Sequence, residues 1–270
     1  MTANRVPRLV QLLAAAFLVG GAAGALGTFS LTEGIWVWPM SALAMRFLAA
    51  AASAYAVGGL LALRRRTWPA NVLLMSSAVV YAVPLLLALA LRTDPIDWSR
   101  AQSWGFVAII TVALAISVYY LTSGDRWRSG SAEPLSGPLR VGAMLLGTVA
   151  LVVGVIVFSA PRQAGFIWPW AELGSWKVLD SRLIASMLIT IGAEALLVAW
   201  WNDRAKAAVF LPMLWAYGVM AILGLALHAA KTPALRFDDL LYSTIFLAIV
   251  AGSVVIHLTQ DRLPRLATSV

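Results

Sequence analysis

The chain has 270 residues, of which 61% are hydrophobic and 12% charged, with a mean hydropathy of +0.85; an average soluble domain carries about twice that charged fraction, so a water-soluble globule is excluded. The formal net charge of +8 does not indicate a nucleic-acid partner, because the basic residues are scattered in short loops and form no phosphate-binding stripe. With no cysteine, disulfides, thiolate metal sites, iron–sulfur clusters and covalent haem attachment are ruled out.

Apolar runs long enough to cross a ~30 Å hydrocarbon core, for which about 20 helical residues suffice, fall at 9–29, 41–63, 69–91, 104–123, 139–159, 179–201, 207–230 and 240–258. In lipid every backbone polar group needs a partner within the segment, so these runs are expected to be helices. The expected fold is therefore an all-α membrane protein with eight transmembrane helices. The first run follows Arg5 and Arg8 and is rich in alanine and glycine, a pattern shared with cleaved signal peptides. Its counterpart in the fifth run argues against cleavage. After the fourth run, Gly124 to Pro138 is a mixed-charge stretch of Ser, Gly and Pro, the natural linker between two halves. The division expected is a first four-helix unit over 1–126, a cytoplasmic linker over 127–138 and a second four-helix unit over 139–270.

Arg5, Arg8, Arg64, Arg65, Arg66, Arg126, Arg128, Arg140, Arg204, Lys206, Arg262 and Arg265 fall on one side of this arrangement. The other side has Arg92, Arg100, Arg162, Lys177, Lys231 and Arg236, mixed with acids. The positive-inside rule then places both termini in the cytoplasm. Alanine abundance and the preference for arginine over lysine point to a GC-rich bacterial genome, hence to a bacterial inner membrane.

An internal repeat is visible. Arg46 and Arg182 stand 136 residues apart, as do Tyr81 and Tyr217, and Arg92 and His228; the run Leu86 to Leu91 maps onto Ile222 to Leu227 at the same offset. With the register slipped by a few residues, Phe29-Ser30 matches Phe158-Ser159, Trp38-Pro39-Met40 matches Trp168-Pro169-Trp170, and Asp125-Arg126 matches Asp261-Arg262. Each unit holds an even number of helices, so the expected relation is a parallel tandem repeat about an axis along the membrane normal.

The outer loop of each unit carries Trp36-Val37-Trp38-Pro39 or Phe166-Ile167-Trp168-Pro169-Trp170. Tryptophan favours the headgroup level, which accounts for most of these rings, with proline starting the next helix. Each loop is followed by an intramembrane arginine, Arg46 or Arg182, the latter beside Asp180. Snorkelling to the outer surface and contact with an anion or carboxylate are both open to these arginines. Glu194 lies twelve residues beyond Arg182, about 18 Å deeper along a helix. A carboxyl at that depth must be protonated, paired or facing a wet cavity, and intramembrane acids are rare without a role. Its partner position in the first unit is Gly58, so it is no part of the duplicated scaffold. Asp94 and Asp97, and Asp238 and Asp239 in the second unit, are expected as loop charges and N-caps of the fourth and eighth helices, or else as the lining of an outer vestibule. His228 and His257 fall near opposite ends of their helices and cannot clamp one haem. No zinc-protease, phosphate-loop, dinucleotide-binding or serine-hydrolase motif is present, and neither a cofactor nor a metal site is expected.

The Trp-Pro loop followed by an arginine in the next helix, as in Trp38-Pro39 with Arg46 and Trp168-Pro169-Trp170 with Arg182, resembles a pattern in uncharacterised multi-pass membrane proteins of GC-rich bacteria. The second unit departs from it through the longer stretch Ala171 to Val178, and the resemblance implies no activity. The leading expectation is a protein that binds or moves a small solute or ion between its halves, with Arg46, Arg182, Trp38, Trp168, Trp170, Glu194, Tyr81 and Tyr217 as its candidate ligand-binding residues. The alternatives are an accessory or assembly subunit docked on a membrane-protein partner and, third, a lipid-processing enzyme, for which no nucleophile or acid–base set stands out. A polar cavity reaching Glu194 favours transport; a solid core with an exposed apolar flank favours a subunit.

Overall fold

The computed structural model describes residues 6–31, 36–123, 130, 133–166, 175–230 and 237–260. Among them there is no strand. The helices are α1 (Arg8–Phe29), α2 (Ala42–Arg65), α3 (Trp68–Leu91), α4 (Ala101–Thr122), α5 (Gly137–Ser159), α6 (Ser175–Trp201), α7 (Arg204–Ala229) and α8 (Phe237–Gln260), with one 3-10 turn at Gln163–Phe166. The first seven are long and apolar enough to cross a membrane, and the described side chains of α8 add the shorter apolar stretch Leu240–Val255. The chain is thus an all-helical integral membrane protein.

Local chemistry sets the helix ends. Ser41 caps α2, its hydroxyl accepting from the Ala44 N–H at 3.2 Å, and Asp203 caps α7 by accepting from the Ala205 N–H at 2.9 Å. Each side chain satisfies one of the donors that a helix start leaves without an intrahelical acceptor. The turns from α2 to α3 and from α6 to α7 are tight, and each is made by one residue in the left-handed region, Arg66 at φ 50° and Asn202 at φ 51°. The expectation that Asp94 or Asp97 caps α4 is corrected. Arg100 holds the cap position and no side chain caps the helix. Asp97 instead accepts from the Ser99 N–H at 3.0 Å and the Ser99 hydroxyl at 2.6 Å, a turn that Asp side chains form with the backbone two residues on.

Packing between helices in lipid rests on close van der Waals contact and interhelical hydrogen bonds, which favours small residues where backbones meet. A Cβ on Gly59 of α2 would lie 2.5 Å from the Ala14 carbonyl oxygen and 2.7 Å from the Leu18 nitrogen of α1. On α6, Gly192 meets the backbone of Leu151 and Gly147 of α5 equally closely. These contacts bind α1 to α2 and α5 to α6. Beyond these two pairs, α2 packs most on α7 and α3 on α6, while α4 lies along α3 and α8 along α7. The central helices α2, α3, α6 and α7 therefore join the first half of the chain to the second. Their spans are 61–67% buried, against 6% for α4 and 22% for α1. The end of the linker is tied to the α6–α7 turn, where the Leu135 N–H donates to Asn202 Oδ1 at 3.2 Å and the Arg204 N–H to the Glu133 carbonyl oxygen at 3.1 Å.

Candidate functional site

Glu194 projects from α6 into the centre of the four-helix core and is 2% exposed. Its Oε2 lies 3.2 Å from Ser76 Oγ on α3, while its Oε1 is buried and has no hydrogen-bond partner among the described residues. Ser76 Oγ also lies 2.9 Å from the Leu73 carbonyl oxygen. A serine hydroxyl has one proton and two lone pairs. It can give that proton to Glu194, or give it to Leu73 and accept one from a protonated Glu194. The contact thus serves both states of the carboxyl with a single rotation of the hydroxyl.

Glu194 borders a cavity of about 30 Å³, shared with Ala54 of α2, Leu73 and Ser77 of α3, Thr190 of α6 and Met213 and Tyr217 of α7. That volume accommodates a water molecule or a bare monovalent cation and excludes an organic solute. Beside it, the Tyr55 hydroxyl donates to the Ser77 carbonyl oxygen at 3.0 Å and accepts from the Ser77 hydroxyl at 3.3 Å. Tyr81 packs on Tyr55 with ring centroids 5.7 Å apart. Toward the arginine-rich end, Lys206 of α7 is 1% exposed, lies 3.7 Å from the 4%-exposed Asp203, and places its Nζ 4.1 Å from the Trp201 ring centroid. Among the described residues there is no cluster of three or more His, Cys, Asp or Glu side chains suited to a metal ion.

At the tryptophan-loop end a second constellation joins the halves. Asp180 of α6 is buried; its Oδ1 accepts from Trp38 Nε1 at 3.1 Å and its Oδ2 from the Ser41 N–H at 3.3 Å. One carboxylate thus holds both the first tryptophan loop and the start of α2. Outside this tie lies a vestibule of about 570 Å³ whose lining includes Trp36, Trp38, Met40, Asp97 and Arg100. The hydrogen bonds from Ser99, and then the charge of Arg100, hold the Asp97 carboxyl below its usual range.

Of the residues singled out from sequence, Glu194 and Tyr217 share the central cavity and Tyr81 stands one ring away from it. Among the described residues the two arginines share no hydrogen-bond partner. Arg46 is 4% exposed; it packs against Gly224 of α7, and its Nε has no acceptor among the described residues. Arg182 donates from Nε to the Phe158 carbonyl oxygen of α5 at 3.2 Å. Trp38 joins the tie to Asp180, and Trp168 and Trp170 lie outside the described residues. Lys206, counted from sequence among the loop charges, is instead in the protein interior. Sequence reasoning passed over Ser76, Tyr55 and the partners of Asp180. One usable signal was present: Ser76 and Pro212 stand at the same 136-residue offset as Gly58 and Glu194, so each member of the central polar pair stands opposite a residue with no polar side chain.

Compared with known proteins, the chain matches no family model, no curated protein and no solved structure.

Proposed function

We propose that this chain is a bacterial inner-membrane protein of eight spans that exchanges a proton or a monovalent cation at Glu194, between two parallel copies of a four-helix unit. The observation that carries this reading is the Glu194 carboxyl itself, buried at the junction of α2, α3, α6 and α7 beside a water-sized cavity, with one oxygen unpartnered among the described residues and the other on a hydroxyl suited to either protonation state. A single carboxylate balances one positive charge, which fits a proton or a monovalent ion better than a divalent one.

Several features support the repeat. α1 lies against α2 as α5 does against α6, α4 against α3 as α8 against α7, and α2 against α7 as α6 against α3. The left-handed turn residues Arg66 and Asn202 stand at the same 136-residue offset as the sequence pairs. Against that background Glu194 and Ser76 are an exception, since Gly58 and Pro212 take their places in the related interface and Met213 lies against Gly58. A polar pair required only to hold the scaffold would recur in both interfaces. The arginine bias puts the Arg64–Arg66 end in the cytoplasm, with the Trp38–Asp180 tie closing the outer end. Arg46 then supplies a fixed positive charge on the outer side of the site, suited to an accompanying anion.

Proteoliposomes carrying a trapped pH dye test this reading. The wild-type protein is expected to dissipate an imposed pH or cation gradient, and Glu194→Gln to abolish that flux while preserving the helical content. The accessory-subunit reading is favoured by α4, whose span is 6% buried and presents Trp104, Ile109 and Tyr119 outward. It predicts no flux from either form, with a partner protein retained on the exposed face of α4.

A further inference from the structure

Two spaces apart from the central cavity adjoin at Trp36. One is the outer vestibule, bounded by Trp36 and Trp38 together with the opposite charges Asp97 and Arg100. The other is an apolar crevice of about 280 Å³ within α1–α4, whose lining includes Phe17, Tyr81, Leu85, Phe106 and Ile110, with Trp36 at its edge. The Trp36 ring meets Trp38 and Phe106 edge to face, each at 5.0 Å between centroids. Its Nε1 is buried and has no hydrogen-bond acceptor among the described residues. An indole N–H left in that state is costly, and buried indoles ordinarily find a partner. A charged, aromatic-walled space at the tryptophan-loop end of the helices, an apolar space beside it and a donor without an acceptor among the described residues at their junction together describe an amphiphile.

We propose that these two spaces hold one membrane phospholipid with a zwitterionic headgroup. Its ammonium lies at Asp97 against the tryptophan faces, which attract cations, and its phosphate lies at Arg100, whose Nη2 already donates to Gln102 Oε1 at 2.8 Å and whose guanidinium carries further N–H donors. The ester carbonyl accepts the proton of Trp36 Nε1, and one acyl chain runs into the crevice. An anionic headgroup would set its negative charge against Asp97 with no ammonium to offset it. A soluble zwitterion would leave both the crevice and the Trp36 donor unused. This site is separate from Glu194 and stands or falls independently of ion exchange there.

The test is native mass spectrometry of the full chain, delipidated in detergent and reloaded with phosphatidylethanolamine or phosphatidylglycerol of matched chains. The wild-type protein is expected to retain one phosphatidylethanolamine under activation that strips phosphatidylglycerol. Trp36→Phe, which keeps an aromatic ring but removes the donor, is expected to weaken retention by roughly threefold to tenfold, the worth of one hydrogen bond. Asp97→Asn is expected to erase the preference between headgroups, and Ala82→Phe, which fills the crevice, to lower retention with the headgroup residues intact. Circular dichroism identifies a variant that has lost its fold; Trp36→Phe, the most conservative change, then carries the test. Equal retention of the two lipids by the wild-type protein, or unchanged retention in a folded Trp36→Phe protein, would overturn the proposal in favour of annular lipid. Equal competition by glycerophosphoethanolamine, which lacks acyl chains, would overturn it in favour of a headgroup-only site.

Discussion

The tie between Trp38 and Asp180 is measurable as a coupling energy. Trp38→Phe removes the Nε1–H that reaches Asp180 Oδ1 at 3.1 Å but keeps an aromatic ring beside Trp36 and Phe106. Hydrogen bonds between neutral groups on neighbouring membrane helices average ~0.6 kcal/mol, whereas a bond to a charged acceptor contributes about 1.5–3 kcal/mol. The Asp180 carboxylate is buried, with Ser41 N–H as its second donor, which places this bond in the stronger class. Loss of the larger indole ring adds roughly 1 kcal/mol of packing. Trp38→Phe is therefore expected to cost about 2.5–4 kcal/mol in the wild-type background. In an Asp180→Ala background only the packing part remains, about 1 kcal/mol, so the cycle should return a coupling of about 1.5–3 kcal/mol. Unfolding titrations in mixed micelles of a mild detergent and dodecyl sulfate give all four free energies. A coupling below about 0.5 kcal/mol, the usual additivity error, would refute the claim that this bond joins the two halves.

Other substitutions probe the interior by the same assay. Gly59→Val sets side-chain atoms against the Ala14 and Leu18 backbone and should cost about 1–3 kcal/mol by forcing α1 from α2, whereas Gly105→Ala meets nothing within 4 Å and should stabilise α4 by up to about 1 kcal/mol. Lys206→Met leaves the buried Asp203 carboxylate without its cation and is expected to cost about 3–5 kcal/mol. Adding Asp203→Asn to Lys206→Met should restore most of that loss, since asparagine still caps α7; a double variant no more stable than Lys206→Met would show that the charge pair is not what the interior requires.

The membrane spans were legible because length and apolarity are local properties. The runs at 41–63 and 69–91 correspond to Ala42–Arg65 and Trp68–Leu91, each ending where arginine, proline or a polar turn interrupts the sequence. Partner choice was not legible. The turn at Arg66 makes α2 and α3 consecutive, yet α2 packs far more on α7 than on α3, a contact no short loop dictates. Lys206 was misread because a charge four residues beyond Asn202 looks like part of a loop; Asp203 and Trp201 draw it inside. Glu194 was recognisable as a lone acid in an apolar run, but its partner Ser76 was not, since serine is common in membrane helices and marks no depth by itself. Asp180 was noted only as a neighbour of Arg182. Its bonds to Trp38 and Ser41 cross 142 and 139 residues of sequence, a separation that spacing rules cannot bridge.

The most direct test of the central claim is infrared difference spectroscopy of the reconstituted protein while the bathing pH is stepped. Proton exchange at Glu194 predicts a carbonyl-stretch band of a buried carboxylic acid that rises and falls with pH, shifts in Ser76→Ala through loss of the hydroxyl 3.2 Å away, and is absent from Glu194→Gln. If wild-type and Glu194→Gln proteins give the same pH-dependent carbonyl spectrum, Glu194 does not exchange protons, and the proposed role of the central cavity in proton exchange is contradicted.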